Sequence, residues 1–276
     1  MDRSVVHDVH MAINLVHRLV YFVPEAVEEY AALGVKGRGG YFGSRSAPMG
    51  AVPDEVIIAT FYNFSPLAVR SAMPGVWETA PPESLQAARF RVVRRALDRV
   101  GVEFSSEQIA EARSLIDPVV AGLDIGGKPL AAGNAGITLP DDPLTALWQQ
   151  VTVLREWRGD AHIAVLVAGE VGPCDCLVLQ VSTGRFPLRL AQATRRWNED
   201  EWSAAIARLV ERGWMDADGG MTVTGTDARD HLEAETDRLC ESIWRPVGVA
   251  GAARLGELIM PIHAAIESAG TYTSLA

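Results

Sequence analysis

The chain has 276 residues, 48% of them hydrophobic and 22% charged, which excludes disordered, collagen-like and disulfide-scaffold classes. Its formal net charge of -10 weighs against binding nucleic acid through phosphate contacts unless a basic face is segregated locally. It has no run of ~18 uninterrupted apolar residues and no basic-then-apolar leader, and only three cysteines; these predict a reduced, cytoplasmic protein without a membrane span.

Residues 5–20 predict a first helix, and Pro24 opens a second that ends before Gly34. The glycine-rich stretch 36–50 breaks all periodicity and reads as a long loop. Helices are expected over 53–64, 66–72 and 83–100. The last puts Leu85, Ala88, Val92, Ala96 and Val100 on one face and stops at Gly101. Ser105 or Ser106 caps a helix to about residue 121, closing a helical N-terminal half, 1–121. Residues 122–143 alternate glycine with small residues and form the clearest connection in the chain. Short hairpin strands would also fit there.

The second half, 144–245, predicts helices over 144–157, 160–171 and 198–212. The third buries Trp202, Ala205, Ile206, Leu209 and Val210 at i, i+3, i+4, i+7 and i+8 spacing. Residues 213–216, a turn at 217–220 and residues 221–224 then read as strand, turn, strand. Thr226 is expected to cap a long helix carrying Ala228, Leu232, Leu239 and Ile243 inward. In the remaining 246–276, a helix from about 250 to 268 should pack back on the first half or form the seam of a homodimer, with Pro261 as a kink or break. The fold class expected is mainly α, with a winged helix-turn-helix unit and a small β-hairpin wing. Trp77 and Trp197, and Gly101 and Gly213, recur in comparable positions, so two degenerate winged-helix repeats around a central pocket remain an open variant.

The runs SRSAPMGAVPDEVIIATFYNFSP, LREWRGDAHIAVLVAGEV and ERGWMDADGGMTVTGTDARDHLEAETD carry a resemblance. Over about residues 10–265 the chain resembles an actinobacterial family of similar length known as helix-turn-helix or MarR-like proteins. The resemblance implies a winged-helix-derived fold and supplies no reaction. Because it draws on the hairpin region, it adds nothing independent on DNA binding.

Several residue sets could carry function. In a MarR-like module the helix before the hairpin lies in the major groove. Here that helix opens with Glu199, Asp200 and Glu201, and the hairpin tip adds Asp216 and Asp218, which disfavours groove reading. Three acids at a helix start also match the helix dipole. The alternative DNA-contacting face is on helix 83–100, where Arg91, Arg94 and Arg95 stand with Arg89 and Arg99; the same face could equally be ion-paired. Arg158, Asp160 and His162 lie within five residues at an expected helix start. They could act as an anion clamp, an orienting carboxylate and an acid/base, or as a helix cap and a core histidine. Tyr41, Arg45, Ser46 and Met49 in the glycine-rich loop, with Tyr62 and Asn63 after the next helix, are candidate ligand-binding residues.

His7, His10 and His17 fall within about 80° on the first helix, an arrangement open to metal or haem but also common on surfaces. Cys174-x-Cys176 lacks a second pair, and no G-x-S-x-G motif occurs, so no metal site or serine nucleophile is expected. The cofactor stays open, haem and flavin included. The preferred reading is a small-molecule-binding protein, with or without catalysis, holding its ligand in a polar pocket between the two halves. The alternative is a MarR-like regulator that binds DNA as a homodimer.

Overall fold

The computed structural model describes residues 3–21, 23–184 and 186–270. Its N-terminal helices are α1 (Arg3–His17), α2 (Pro24–Ala32), α3 (Arg38–Ser46), α4 (Asp54–Phe61), α5 (Pro66–Arg70), α6 (Val76–Thr79), α7 (Pro82–Val100) and α8 (Ser106–Ala121). They are followed by α9 (Pro129–Ala135), α10 (Pro143–Ala168), α11 (Pro173–Ser182), α12 (Leu188–Arg195), α13 (Glu199–Glu211), α14 (Val223–Glu241) and α15 (Gly248–Ser268). The chain divides into two compact units. The first comprises Met1–Val52, Met73–Asp160 and Asp237–Ala276; the second comprises Pro53–Ala72 and Ala161–Thr236.

In the first unit α1 and α15 form the most extensive helix pairing. Val6, Val9, Ile13 and Val16 on α1 and Leu255, Ile259, Ile262 and Ile266 on α15 are all buried. A fully buried aliphatic side chain contributes roughly 1.5–3 kcal/mol, so this stripe outweighs the cost of about 3 kcal/mol for a proline inside a helix. That is why α15 continues through Pro261 instead of breaking there. By length and composition alone α15 could cross a membrane, yet its apolar stripe is core. The α7 helix buries Leu85, Ala88, Val92, Val93, Ala96 and Leu97 against α2 and α3 and ends on Gly101 at φ +67°. Ser105 caps α8 in a reciprocal box with Gln108.

The glycine-rich stretch 36–50 is not a loop: it contains α3 and a 3₁₀ turn over Ala47–Met49. A Cβ on Gly40 would stand 2.7 Å from the Tyr30 ring, and one on Gly43 would stand 2.8 Å from Val76. These glycines serve close helix packing, which periodicity cannot distinguish from backbone freedom. The expected break at residues 158–160 is absent as well, since α10 is one helix of 26 residues. Gly159 costs such a helix only about 1 kcal/mol.

The second unit packs α11 against α13. Its core includes Leu166, Val171, Cys174, Val178, Leu179, Ala205, Leu209 and Leu232, with Trp197, Trp202 and Trp214 packed on it. The expected β-hairpin wing is overturned here. Among the described residues there is no β-strand, and this segment shows a single antiparallel bridge, Met215 to Met221. The tip is an Asp216 turn in which the carboxylate accepts from the N–H groups of Asp218 and Gly220.

The second strand has no room because α14 starts at Val223, capped by Thr222 Oγ1 accepting from Gly225 N–H at 3.0 Å. Cap chemistry at Thr222 prevails over the β-propensity of residues 221–224. The first half lacks a wing too, because residues 101–105 lead directly from α7 into α8. The winged-helix reading and its duplicated variant are therefore withdrawn, and the mainly α class stands.

Candidate functional site

The densest buried polar assembly lies in the first unit. Glu156 on α10 and Arg89 on α7 are both 0% exposed. Glu156 accepts a bidentate pair of hydrogen bonds from Arg45 of α3, Nε at 3.2 Å and Nη2 at 3.1 Å, and another from Arg155 Nη1 at 2.6 Å. Burial pushes its carboxyl upward, but Arg155 and Arg45 outweigh this and hold it well below the usual carboxylate range. Arg45 loses by burial and gains more from Glu156, so it is firmly charged.

His17, at the end of α1, stacks on Trp148 with ring planes 6° apart and lies 3.7 Å from Glu156. Its Nδ1 is 3.0 Å from Thr152 Oγ1 and its Nε2 is 2.9 Å from the Tyr21 hydroxyl. Burial, reinforced by Arg155, keeps the imidazole well below its ordinary pKa, hence neutral at pH 7. The Tyr21 hydroxyl accepts from Arg89 Nη2 at 3.2 Å, which leaves its own proton to donate to His17 Nε2. Burial raises this phenol to about 12 against the opposing charges of Arg89 and Arg45. On α3, one turn before Arg45, the Tyr41 hydroxyl accepts from Arg45 Nη1 at 3.1 Å. The two tyrosine rings meet edge to face at 5.0 Å.

These rings form one wall of a cavity of about 290 Å³. Ala26, Tyr30 and Ala31 of α2 form another wall, with Val20, Val35 and Lys36 completing it. A mostly apolar hollow with a few fixed polar groups is the usual form of a small-molecule site. The arrangement can hold a flat ligand against the tyrosines, with the Tyr21 proton held toward His17 Nε2.

Of the residues expected to bind a ligand, Tyr41 and Arg45 belong to this assembly. Ser46 Oγ instead donates to the Phe42 carbonyl, and Met49 lies in the 3₁₀ turn. Tyr62 and Asn63 belong to the second unit. There the Tyr62 hydroxyl donates to the Val171 carbonyl, and the Asn63 carbonyl accepts from Trp197 Nε1. The expected catalytic trio is distributed. Arg158 donates to Asp237 at 2.6 Å, Asp160 accepts from Ala131 N–H at 3.0 Å, and burial raises the Asp160 carboxyl to about 6. His162 belongs to the second unit and meets Thr236 Oγ1 at 2.9 Å. Residues two apart on a helix do not face each other, so Asp160 and His162 project to different sides of α10.

His10 meets Trp244 and His7 meets Asp237, each away from His17. Tyr21 and Glu156 have no place in the sequence reading, which groups His17 with the α1 histidines and Arg89 with the basic face of α7. One signal was available: Trp148, Thr152 and Glu156 recur at i, i+4 and i+8 on α10.

The face expected to touch DNA is engaged within the first unit. Arg91 pairs with Glu29, Arg95 with Glu28 and Glu29, and Arg94 with Asp98 and Asp142. In the second unit a three-residue turn at 196–198 joins α12 to α13, with Arg196 left-handed at φ +56°. Asn198 caps α13 in a box with Glu201, and Glu199 and Asp200 are exposed. Arg208, the exposed cation of α13, donates to Asp175 at 2.6 Å.

No curated protein and no solved structure matches the chain. A helix-turn-helix family does match, over residues 6–273, so nearly the whole sequence is covered. On that match the chain belongs to this helix-turn-helix family.

Proposed function

We propose that this protein binds a small molecule in the cavity of the first unit, with Tyr21, Tyr30 and Tyr41 as its contact surface. The supporting observation is the set of buried charges directly behind two of those tyrosines: Glu156, Arg45 and Arg89. Burying an ion costs several kcal/mol, and apolar replacements of buried ion sets are often neutral or stabilising, so stability alone does not account for them. Fixing the orientation and polarity of a binding wall does.

The test is a thermal-shift survey of aromatic and aliphatic small molecules on the wild type and on Ala31→Trp. Ala31 is exposed at the cavity wall, so tryptophan there fills the hollow without entering the core. Compounds that raise the melting temperature of the wild type and not of the variant support the reading. Equal shifts in both, or no shift with any compound, oppose it.

Membership of a helix-turn-helix family and the short turn joining α12 to α13 favour a second reading, a regulator that binds DNA as a homodimer. The exposed acids at the start of α13 stand against it. Selection from random duplex DNA decides: an enriched sequence bound with steep salt dependence would make the second reading the better one.

A further inference from the structure

If the cavity is the ligand site proposed above, its wall also specifies the chemistry of the ligand. The lining is mostly apolar, with Tyr21 and Tyr41 on one wall and Ala26, Tyr30 and Ala31 of α2, with Val35 after it, on another. Behind it, Arg45 and Arg155 both bond to the Glu156 carboxylate, and the buried Asp160 carboxyl lies within electrostatic reach of Arg45 and Glu156. Arg89 has no carboxylate within ion-pairing distance. Its Nη1 goes to the Ser44 carbonyl and its Nη2 to the Tyr21 hydroxyl, its plane lies over Trp148, and its Nε makes no hydrogen bond.

A fully buried, always-charged group without a counter-charge is costly and unusual. The acids of the neighbouring α2 do not supply one: Glu25 is held by Arg99, Glu28 by Arg95, and Glu29 by Arg91 and Arg95. Lys36 adds a further cation on the lining itself.

We infer that the cavity takes a planar aromatic carboxylate. Its ring would lie against Tyr21, Tyr30 and Tyr41. Its carboxylate, turned toward the Lys36 ammonium on the lining, would stand in the field of Arg89 and Arg45, which lie behind the Tyr21 and Tyr41 hydroxyls. In that dry surrounding the two charges act on it far more strongly than they would in water. The Lys36 ammonium, on a flexible stem, closes over it from the solvent side.

The experiment is calorimetric titration with naphthalene-2-carboxylate and its neutral counterpart naphthalene-2-carboxamide. The proteins are the wild type, Ala31→Trp, Lys36→Met and Arg89→Gln. Lys36 is exposed, so its variant keeps the fold even where Arg89→Gln does not. The acid is expected to bind the wild type at least about tenfold more tightly than the amide. Lys36→Met should narrow that ratio, as should Arg89→Gln where it folds, and Ala31→Trp should remove binding of both compounds. Equal affinities for acid and amide, both lost in Ala31→Trp, would overturn the carboxylate inference and leave the cavity as a ligand site. So would an acid preference unchanged in the charge variants. Absence of binding by either compound, or binding indifferent to Ala31→Trp, would overturn both.

Discussion

Replacing Glu156 by glutamine changes one charge and almost no volume, at a position with no solvent exposure. It leaves the buried Arg45 guanidinium and the partly buried Arg155 without their shared counter-charge. Breaking a buried pair by removing one partner costs about 3–5 kcal/mol. For a protein of this size each kcal/mol lowers the melting temperature by roughly 2–4 °C, so a fall of roughly 6–20 °C is expected at pH 7. Scanning calorimetry measures it.

The pH dependence supplies a signature that a generic packing defect lacks. Glu156 is held below the usual carboxylate range in the folded protein, so its stabilisation is fully present above the unfolded glutamate value of about 4.3 and is lost as pH falls toward the folded value. The gap between wild type and Glu156→Gln should therefore be constant near neutrality and shrink below about pH 4. Adding Arg45→Met to Glu156→Gln should recover part of the loss, because one stranded charge is then gone. A Glu156→Gln protein that melts within a degree or so of the wild type would refute the reasoning, since the carboxylate could then be neither dry nor ionised.

Burial holds His17 well below its ordinary pKa, so its contribution is intact above about pH 6.5 and is lost as pH falls. Urea midpoints between pH 7 and 5 should decline more gently in His17→Gln than in the wild type. The flattening is partial because His10 and His263 are lowered by burial too, and identical slopes would contradict the assignment. Thr222→Val should cost about 1 kcal/mol by removing the cap of α14. A strand at 221–224 would instead gain from valine, so a rise in melting temperature would restore the hairpin. Gly40→Ala forces a Cβ against the Tyr30 ring and should cost about 1–3 kcal/mol while weakening ligand binding, since Tyr30 lines the cavity. Unchanged stability and affinity would show that α3 and α2 are less closely packed than described.

Amphipathic helices with ordinary caps were readable residue by residue. The buried face of α7, its stop at Gly101, the Ser105 cap and the Asn198 start of α13 all follow from local chemistry. What misled the reading was local chemistry with two outcomes. Gly40 and Gly43 read as loop and serve helix contact, while Thr222 reads as strand and caps a helix. Tyr41 and Arg45 stood out as polar residues within an unusual stretch. By charge, Arg89 falls on a solvent face with Arg91, Arg94, Arg95 and Arg99. It lies at i+4 from Leu85 and i−3 from Val92, which is the inward stripe, and charge alone hid that. Glu156 and His17 depend on partners 139 positions apart in sequence, and no single-chain pattern pairs them.

The central claim is that a ligand lies against Tyr21, Tyr30 and Tyr41. The chain has five tyrosines, the other two being Tyr62 in the second unit and Tyr272 outside the described residues. Biosynthetic incorporation of 3-fluorotyrosine gives each a separate fluorine resonance, assignable by single Tyr→Phe variants. Titration with naphthalene-2-carboxylate should shift the resonances of Tyr21, Tyr30 and Tyr41 together, along one saturation curve, and leave that of Tyr62 in place. Shifts confined to Tyr62, or a bound ligand that moves none of the three, would contradict the account.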